Sequence, residues 1–271
     1  MANKKWLDLQ GKVIIVTGGS SGIGEHIIKN LSANDAVAVV ADVKFNDSFN
    51  NTNIVFEECN VADIKSVTKM VENVFLKYGK IDGLVNNAGV SRPRMLVDYY
   101  GEHPEYEITE EDFDFMTAVN QKGVLLCSQA VARKMISQKY GVIINMCSAA
   151  GLKGSRGQSI YSATKGAIHS FAMSWAKELG QFNIRVLSIA PDVNERTPMN
   201  NDENIKALAY TRGTEPKNIL QNTDTDFSKS IPLARPGKLD EIADLVSFLM
   251  SEHSSYITST CIDISGGKIS M

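Results

Sequence analysis

Short apolar segments alternate with longer segments of helical periodicity along this chain. The short segments are rich in β-branched residues and apolar at nearly every position, which is typical of strands covered on both faces of a parallel sheet. They predict strands at residues 13–16, 37–41, 54–58, 83–86, 142–146, 185–189 and 261–264. Between them, the pattern predicts helices at residues 23–33, 63–78, 110–138, 159–180 and 239–251. This alternation predicts an α/β fold with right-handed crossovers and helices on both faces of the sheet.

Two segments interrupt this alternation. Residues 91–109 are polar, and residues 191–232 form a long stretch without a strand pattern. A compact domain seldom keeps such a long connection unless it is a functional lid or is disordered. Weak helical patterns at residues 202–210 and 215–222 favour a structured substrate lid over residues 191–232.

Composition narrows the class of protein. The 271 residues are 43% hydrophobic, and no repeat or linker divides them, so we expect one domain over residues 1–271. The net charge is −3 and no basic stripe is present, which argues against a nucleic-acid partner. The apolar runs are too short to cross a bilayer, and residues 1–10 are too polar for a secretory signal. These features predict a cytoplasmic protein that is not bound to a membrane.

The cysteines and histidines lack the spacing of metal ligands. We therefore expect no metal site, and we expect the thiols to be buried and reduced. The four cysteines are Cys59, Cys127, Cys147 and Cys261.

The first predicted strand runs into a glycine-rich turn at residues 17–24, and a helix follows. Glycines in such a turn let the backbone bend tightly and approach a pyrophosphate closely. The helix N-terminus adds free N–H groups and the positive end of the helix dipole. A tight turn without a ligand is the alternative, but the position at the first strand-to-helix junction favours a dinucleotide site. The candidate contacts are Gly18, Ser21, Gly22, Ile23 and Gly24.

Asp42 ends the second predicted strand. A carboxylate there accepts hydrogen bonds from the adenosine ribose hydroxyls and repels the 2′-phosphate of NADP, which predicts NAD as the cofactor. Two alternatives stay open: an aspartate that caps a helix or loop, and tolerance of the 2′-phosphate because Lys44 lies nearby.

Tyr161 and Lys165 are one helical turn apart on a predicted helix, so their side chains share a face. A free tyrosine has a pKa of about 10, and we expect the neighbouring ammonium to lower it. Ser148 ends the fifth strand, at the carboxyl edge where open sheets bind ligands, and is a candidate to hold the substrate oxygen. Asn120 is a candidate to tie a water to Lys165 and complete a proton path. Surface pairing of tyrosine and lysine is the alternative.

Together, these motifs resemble those of the short-chain dehydrogenase/reductase family, in order and over nearly the whole chain. The resemblance implies a Rossmann-type, doubly wound, seven-stranded parallel sheet in a homotetramer or homodimer. It also implies hydride transfer between NAD or NADP and a secondary carbon that bears oxygen. The matching positions are residues 17–24, Asn86, Asn87, Ala88, Gly89, Asn120, Ser148, Tyr161 and Lys165.

The same resemblance implies further cofactor contacts. They are Asn87, Ala88 and Gly89 on the adenosine side, Asn60 and Val61 at the adenine, Tyr161 and Lys165, and then Pro191, Asn194 and Thr197. Two positions depart from the family pattern. Asn60 stands where aspartate is usual, and Asp192 follows Pro191 where glycine is usual. The second departure puts a carboxylate near the expected carboxamide pocket.

A narrower resemblance, mostly in the two irregular segments, is to the sorbitol-6-phosphate 2-dehydrogenase branch of the family. It rests on residues 93–98, 118–123, 207–213 and 265–268. This resemblance implies that the chain interconverts a sugar-alcohol phosphate and a ketose phosphate, with sorbitol 6-phosphate and fructose 6-phosphate as the expected pair.

Charged residues of the irregular segments are the candidates for substrate binding. We expect Arg94 and Arg212 to bind the phosphate through their planar forks, and Glu195 and Asp192 to accept bonds from polyol hydroxyls. An enzyme acting on another secondary alcohol or carbonyl, such as an unphosphorylated polyol or a β-ketoacyl thioester, is the alternative. A non-catalytic NAD-binding regulator is a more remote one, because the chemical residues are all present.

Overall fold

The computed structural model describes residues 6–216 and 227–268, and its centre is one seven-stranded sheet. All neighbouring strands run parallel, in the order β3-β2-β1-β4-β5-β6-β7. The order reverses direction at β1 and β4, which makes the sheet doubly wound and confirms the predicted Rossmann-type class. The strands are β1 Val13–Thr17, β2 Val37–Asp42, β3 Ile54–Glu58, β4 Gly83–Asn86, β5 Gly141–Met146, β6 Ile184–Pro191 and β7 Cys261–Ile264.

Helices cover both faces of this sheet. Strand side chains point alternately to the two faces, so a strand covered on both sides is buried at every position, as β1 is. The helices are α1 Gly22–Ala33, α2 Ile64–Tyr78, α3 Glu110–Thr117, α4 Gly123–Gln138, α5 Ala149–Lys153, α6 Ser159–Leu179, α7 Asp202–Arg212 and α8 Leu239–Met250. On one face, α2, α4 and α6 bury residues such as Met70 and Val131 against Ile15. On the other face, α1 and α8 bury Ile28 and Val246.

The helix prediction differs from the structure at two points. The pattern predicts one helix over residues 110–138, but a π-helical turn at Ala118–Lys122 separates α3 from α4. Turns of this type are frequent at functional sites, and a single wider turn leaves no mark in the periodicity. Helix α5 was not predicted, because five residues are too few to show a period.

The segment over residues 191–232 contains α7 where the weak pattern at 202–210 predicts a helix. Residues 217–226, and with them most of the helix predicted at 215–222, lie outside the described residues. Helix α7 is tied to the loop over residues 91–109. The Asn204 side-chain amide donates to the Ser91 carbonyl at 3.0 Å, and the Tyr210 hydroxyl donates to Asp98 at 2.7 Å.

Two further findings concern the described residues. No helix among them is both long and apolar enough to cross a membrane. All four cysteines are buried and free, as the sequence predicts.

Candidate active site

The glycine-rich turn connects β1 to α1 and requires its glycines. Gly18 has φ +63°, and a Cβ there would lie 2.8 Å from the Ala88 Cα. A Cβ on Gly24 would lie 2.6 Å from the Asn87 side-chain nitrogen and would overlap the Gly18 carbonyl oxygen. The backbone of the turn is therefore packed directly against the segment that follows β4.

Hydrogen bonds fix this turn to the end of β4. The Thr17 hydroxyl accepts bonds from the backbone N–H groups of Asn87 at 3.0 Å and Ala88 at 3.1 Å. The Asn87 side chain donates to the Gly18 carbonyl at 3.0 Å. Ser21, the residue before α1, makes no side-chain bond to the helix, so it leaves the first N–H groups uncapped. Uncapped N–H groups at a helix start are suited to a phosphate.

Asp42 lies beside this turn, at the carboxyl end of β2. One of its carboxylate oxygens accepts a bond from the Ser20 N–H at 3.0 Å, and the other accepts from the Val43 N–H at 2.7 Å. Asp42 lines a cleft of about 520 Å³ together with Ser20, Ser21 and residues 43–48. The cleft places the carboxylate at the same edge as the glycine turn, where a nucleotide ribose would lie.

Asn60 and Val61 follow β3 at the same edge of the sheet. The Asn60 side-chain oxygen accepts a bond from the Ala62 N–H at 3.0 Å, and the residue is exposed. Val61 is buried, and a Cβ on Gly123 would lie 2.9 Å from a Val61 methyl group. The adjacent Cys59 N–H donates to the Asp42 carbonyl at 2.9 Å, which joins this segment to the cleft.

Tyr161, Lys165 and Ser148 converge at the carboxyl edge of β5. The Lys165 ammonium donates to the Met146 carbonyl at 2.6 Å and lies 5.7 Å from the centre of the Tyr161 ring. Ser148 begins helix α5, and its hydroxyl accepts a bond from the Ala150 N–H at 3.2 Å. The Ser148 hydroxyl is also hydrogen-bonded to Tyr161. The three residues predicted to be catalytic are thus brought together.

Burial dominates the titration of this group. It raises the pKa of Tyr161 to about 12, although the hydrogen bond with Ser148 acts in the opposite direction. It also lowers the pKa of Lys165 to about 8. The expectation that the ammonium lowers the tyrosine pKa is therefore wrong, because desolvation of the phenolate is the larger effect.

Asn120 lies in the π-helical turn and is completely buried. Its side-chain oxygen accepts a bond from the Val90 N–H at 2.8 Å, and its nitrogen donates to the Val90 carbonyl at 2.9 Å and to the Thr164 hydroxyl at 3.2 Å. A Cβ on Gly89 would lie 3.5 Å from both the Asn120 oxygen and the Lys165 ammonium. Asn120 therefore joins the loop after β4 to helix α6. The sequence analysis missed Thr164, since a threonine inside a helix carries no signal of its own.

The end of β6 lies next to Ser148. The Ser148 hydroxyl is 3.5 Å from the Pro191 carbonyl oxygen. The Asn194 amide nitrogen donates to the Asp192 carbonyl at 3.2 Å, and its oxygen is buried without a hydrogen-bond partner among the described residues. Thr197 returns to the glycine turn, where a Cβ on Gly22 would lie 3.2 Å from the Thr197 Cβ.

These features fit a nicotinamide dinucleotide. The glycine turn leaves no room for side chains, the N-terminus of α1 is uncapped by Ser21, and Asp42 lines the cleft beside the turn. The unpartnered Asn194 oxygen is an acceptor that the N–H₂ of a carboxamide would satisfy.

The predicted substrate residues lie in different environments. The Arg94 guanidinium lies 3.4 Å from the Asp112 carboxylate and donates to the carbonyl of the preceding Pro93. Its donors are therefore engaged within the protein. Glu195 is exposed and accepts a bond from the Leu239 N–H at 3.1 Å, at the start of α8. Arg94 is available to a substrate only after leaving its partners, whereas the Glu195 carboxylate keeps free acceptor positions.

Arg212 differs from the other predicted phosphate ligand. It ends helix α7, is half-buried, and donates to the Ser155 hydroxyl at 3.1 Å. No carboxylate within the described part of the chain forms an ion pair with it. Burial lowers the pKa of Arg212, while the charge of Asp192 opposes that effect.

Asp192 is held by two lysines that the sequence analysis did not connect with it. Lys153, at the end of α5, donates to one carboxylate oxygen at 3.0 Å. Lys268, which follows β7, lies 3.5 Å from the other oxygen. The pairing brings three distant segments of the chain together, and no local pattern predicts it.

The chain is similar to several known proteins. The short chain dehydrogenase family model matches residues 12–207. The chain is 44% identical to sorbitol-6-phosphate 2-dehydrogenase of Klebsiella pneumoniae over 264 residues, covering 97% of this chain and 98% of that protein. It is 36% identical to a 3-oxoacyl-[acyl-carrier-protein] reductase of Thermotoga maritima over 273 residues, covering 96% and 99%.

A solved structure is similar over almost the same length. It is the 3-ketoacyl-(acyl-carrier-protein) reductase from Brucella melitensis complexed with NADH, with a TM-score of 0.79, 27% identity, and 96% of this chain and 99% of that chain covered. The doubly wound sheet, the glycine turn and the group around Tyr161 agree with these similarities. The chain belongs to the short-chain dehydrogenase family and is an oxidoreductase of the kind that binds a nicotinamide cofactor.

Proposed function

We propose that this chain is an NAD-dependent oxidoreductase that interconverts a sugar-alcohol phosphate and a ketose phosphate, with sorbitol 6-phosphate and fructose 6-phosphate as the pair. The main support for a phosphorylated substrate is Arg212, a half-buried arginine without an ion-pair partner among the described residues. The similarity to the Klebsiella pneumoniae enzyme supports the same substrate.

The chemistry divides between the cofactor and the side chains. A bound nicotinamide supplies hydride exchange with the substrate carbon. Tyr161 exchanges a proton with the substrate oxygen, as an acid in carbonyl reduction and as a base in alcohol oxidation. Ser148 holds that oxygen beside the phenol, and Lys165 keeps a positive charge near the ring. Asn120 holds the loop after β4 against α6.

The position of Arg212 suits a phosphate at the far end of a six-carbon chain. Helix α5 starts directly after Ser148 and spans about 7.5 Å at 1.5 Å per residue. Ser155, which holds Arg212, lies just beyond the end of that helix. A substrate whose second carbon contacts Ser148 would extend along α5 toward the guanidinium. Arginine binds a phosphoryl group through two parallel hydrogen bonds.

Replacing Arg212 with glutamine tests this contact. Arg212→Gln should lower kcat/KM for sorbitol 6-phosphate by about tenfold or more, because a charge-assisted bond is lost, and should leave free sorbitol unaffected. Arg156→Gln is the matched control, since Arg156 is a loop arginine bonded to the hydroxyls of Tyr99 and Tyr100. Equal losses on both substrates in Arg212→Gln would exclude a phosphate contact.

Reduction of a β-ketoacyl thioester is the second candidate, because the Thermotoga maritima relative is a 3-oxoacyl reductase. An acyl chain favours an apolar groove. The residues around the end of β6 are instead charged, with Asp192 contacting Lys153 and Lys268. A hydroxylated substrate is therefore favoured over an acyl one.

We expect NAD to be preferred over NADP because the Asp42 carboxylate lines the nucleotide cleft. Asp42→Asn should reduce the ratio of kcat/KM for NAD to that for NADP by about tenfold. Asp47→Asn, in the same cleft, should leave the ratio unchanged. If the unsubstituted enzyme used both cofactors equally well, Lys44 or another cation would have to offset Asp42.

A homodimer or homotetramer is expected because α4 and α6 carry apolar side chains that the described part of the chain leaves partly uncovered. Leu125 on α4 is 40% exposed, and Phe171 and Trp175 on α6 stack at 4.8 Å. We expect sedimentation to show a dimer or tetramer, and Leu125→Glu to shift it toward the monomer. Leu76→Glu is the control, because Leu76 is also an exposed leucine, 79% exposed, but lies on α2. A monomeric unsubstituted protein would contradict this expectation.

Two further expectations complete the proposal. The segment over residues 191–232 acts as a lid, since its helix α7 contacts the loop over residues 91–109 and Thr197 reaches the glycine turn.

The reaction takes place in the cytoplasm, as four free, buried thiols favour a reducing compartment.

A further inference from the structure

Asp192 occupies an unusual position beside the candidate catalytic group. It directly follows Pro191, whose carbonyl oxygen lies 3.5 Å from the Ser148 hydroxyl. Its side chain is only 17% exposed, and its charge acts on Arg212, the proposed phosphate ligand. A carboxylate on the residue after this contact, and largely withdrawn from solvent, has either a structural role or a contact with the substrate.

Two lysines hold the carboxylate without saturating it. Lys153 contacts one oxygen at 3.0 Å and Lys268 contacts the other at 3.5 Å. A carboxylate has about four acceptor positions on its two oxygens, so roughly two stay free. The ammonium groups orient the carboxylate from two sides, and the free positions are suited to hydroxyl donors.

We infer that Asp192 is a specificity residue that accepts hydrogen bonds from substrate hydroxyls next to the reacting carbon, with Lys153 and Lys268 as its positioning residues. The inference rests on the proposed function and assigns recognition of the substrate hydroxyls to the Asp192 carboxylate. In a polyol, the hydroxyls on the first and third carbons flank the reacting second carbon, and these are the two that lie closest to Ser148.

The same carboxylate selects against other substrates. An acyl chain would remove water from Asp192 and its lysines without offering a donor, and desolvation of charged groups is costly. Discrimination against a substrate that lacks a required hydroxyl is strong when the site is built to bond it. Asp192 therefore separates hydroxylated substrates from acyl thioesters in this fold.

A cycle of paired changes in enzyme and substrate tests the inference. Asp192→Asn and the unsubstituted enzyme are compared on sorbitol 6-phosphate and on its analogues that lack the hydroxyl at the first or third carbon. Asp192→Asn should raise KM for the parent compound by about tenfold or more and leave the NADH dissociation constant unchanged. Removing at least one of these hydroxyls from the substrate should lower kcat/KM by a smaller factor in Asp192→Asn than in the unsubstituted enzyme.

Controls separate recognition from structure. Asp202→Asn removes a carboxylate of α7 that pairs with Arg196 at 2.8 Å, and it should show no such coupling. Lys153→Met keeps the carboxylate and should weaken the same coupling, so it serves if Asp192→Asn does not fold. Equal factors for the parent compound and both analogues in Asp192→Asn and Lys153→Met would overturn the inference.

Failure of the proposed function would be visible in the same data. If the unsubstituted enzyme turned over free sorbitol better than sorbitol 6-phosphate, the phosphorylated substrate would be wrong. The cycle run with free sorbitol and its deoxy analogues would still decide the role of Asp192.

Discussion

Tyr161→Phe is expected to lower kcat by a factor of about 10² to 10⁴, the usual contribution of general acid–base catalysis. The change removes one hydroxyl and keeps the ring that lies against Lys165. Because the ring stays in place, the NADH dissociation constant should not change. Steady-state kinetics in both directions and a fluorescence titration with NADH measure the two quantities.

The pH dependence gives an internal check on this expectation. Burial holds the pKa of Tyr161 at about 12, so the phenol is protonated at neutral pH and can donate its proton to a carbonyl. Alcohol oxidation needs the phenolate, and its rate should therefore rise as pH increases from neutrality. Tyr161→Phe should remove this rise. Retention of more than about a tenth of the activity would contradict the role of Tyr161.

Gly24→Ala is expected to abolish productive cofactor binding and to destabilise the fold. The added Cβ would overlap the Gly18 carbonyl oxygen and lie 2.6 Å from the Asn87 side-chain nitrogen. Both are parts of a hydrogen-bonded contact between the turn and β4, so neither is free to move away. Overpacking of this kind costs about 1–3 kcal/mol in the free energy of unfolding. NADH titration and thermal unfolding measure the two effects.

Gly180→Ala is the matched control for this change. Gly180 has a helical backbone conformation, and a Cβ there would meet no atom within 4 Å. Alanine is favoured over glycine in helical backbone, so stability should stay equal or rise slightly. If Gly24→Ala bound NADH as the control does, the turn would not be the phosphate site.

The sheet and its order of elements are predictable from the sequence because parallel strands covered on both faces leave a strong apolar signal. All seven predicted strands are present, and β3, β4 and β7 have the predicted bounds. The residues around Tyr161 were predictable for a different reason. Tyr161 and Lys165 lie on one helix, and Ser148 follows one strand, so their spacing is local and can be recognised in the sequence.

The surroundings of these residues could not be predicted, because they depend on contacts between distant segments. The π-helical turn that holds Asn120 is one such feature. The pairing of Arg94 with Asp112 is another, and it removes an arginine that the sequence offers as a phosphate ligand. Burial likewise decides the direction of the Tyr161 pKa, and burial of a single side chain follows only from the packed structure.

The specificity constant for sorbitol 6-phosphate, compared with that for free sorbitol with NAD as cofactor, tests the central claim most directly. A phosphoryl group bonded to Arg212 should favour the phosphorylated polyol by about tenfold or more, measured through NADH absorbance. Turnover of free sorbitol with an equal or higher kcat/KM would contradict the account, and Arg212 would then be a cation without a role in substrate binding.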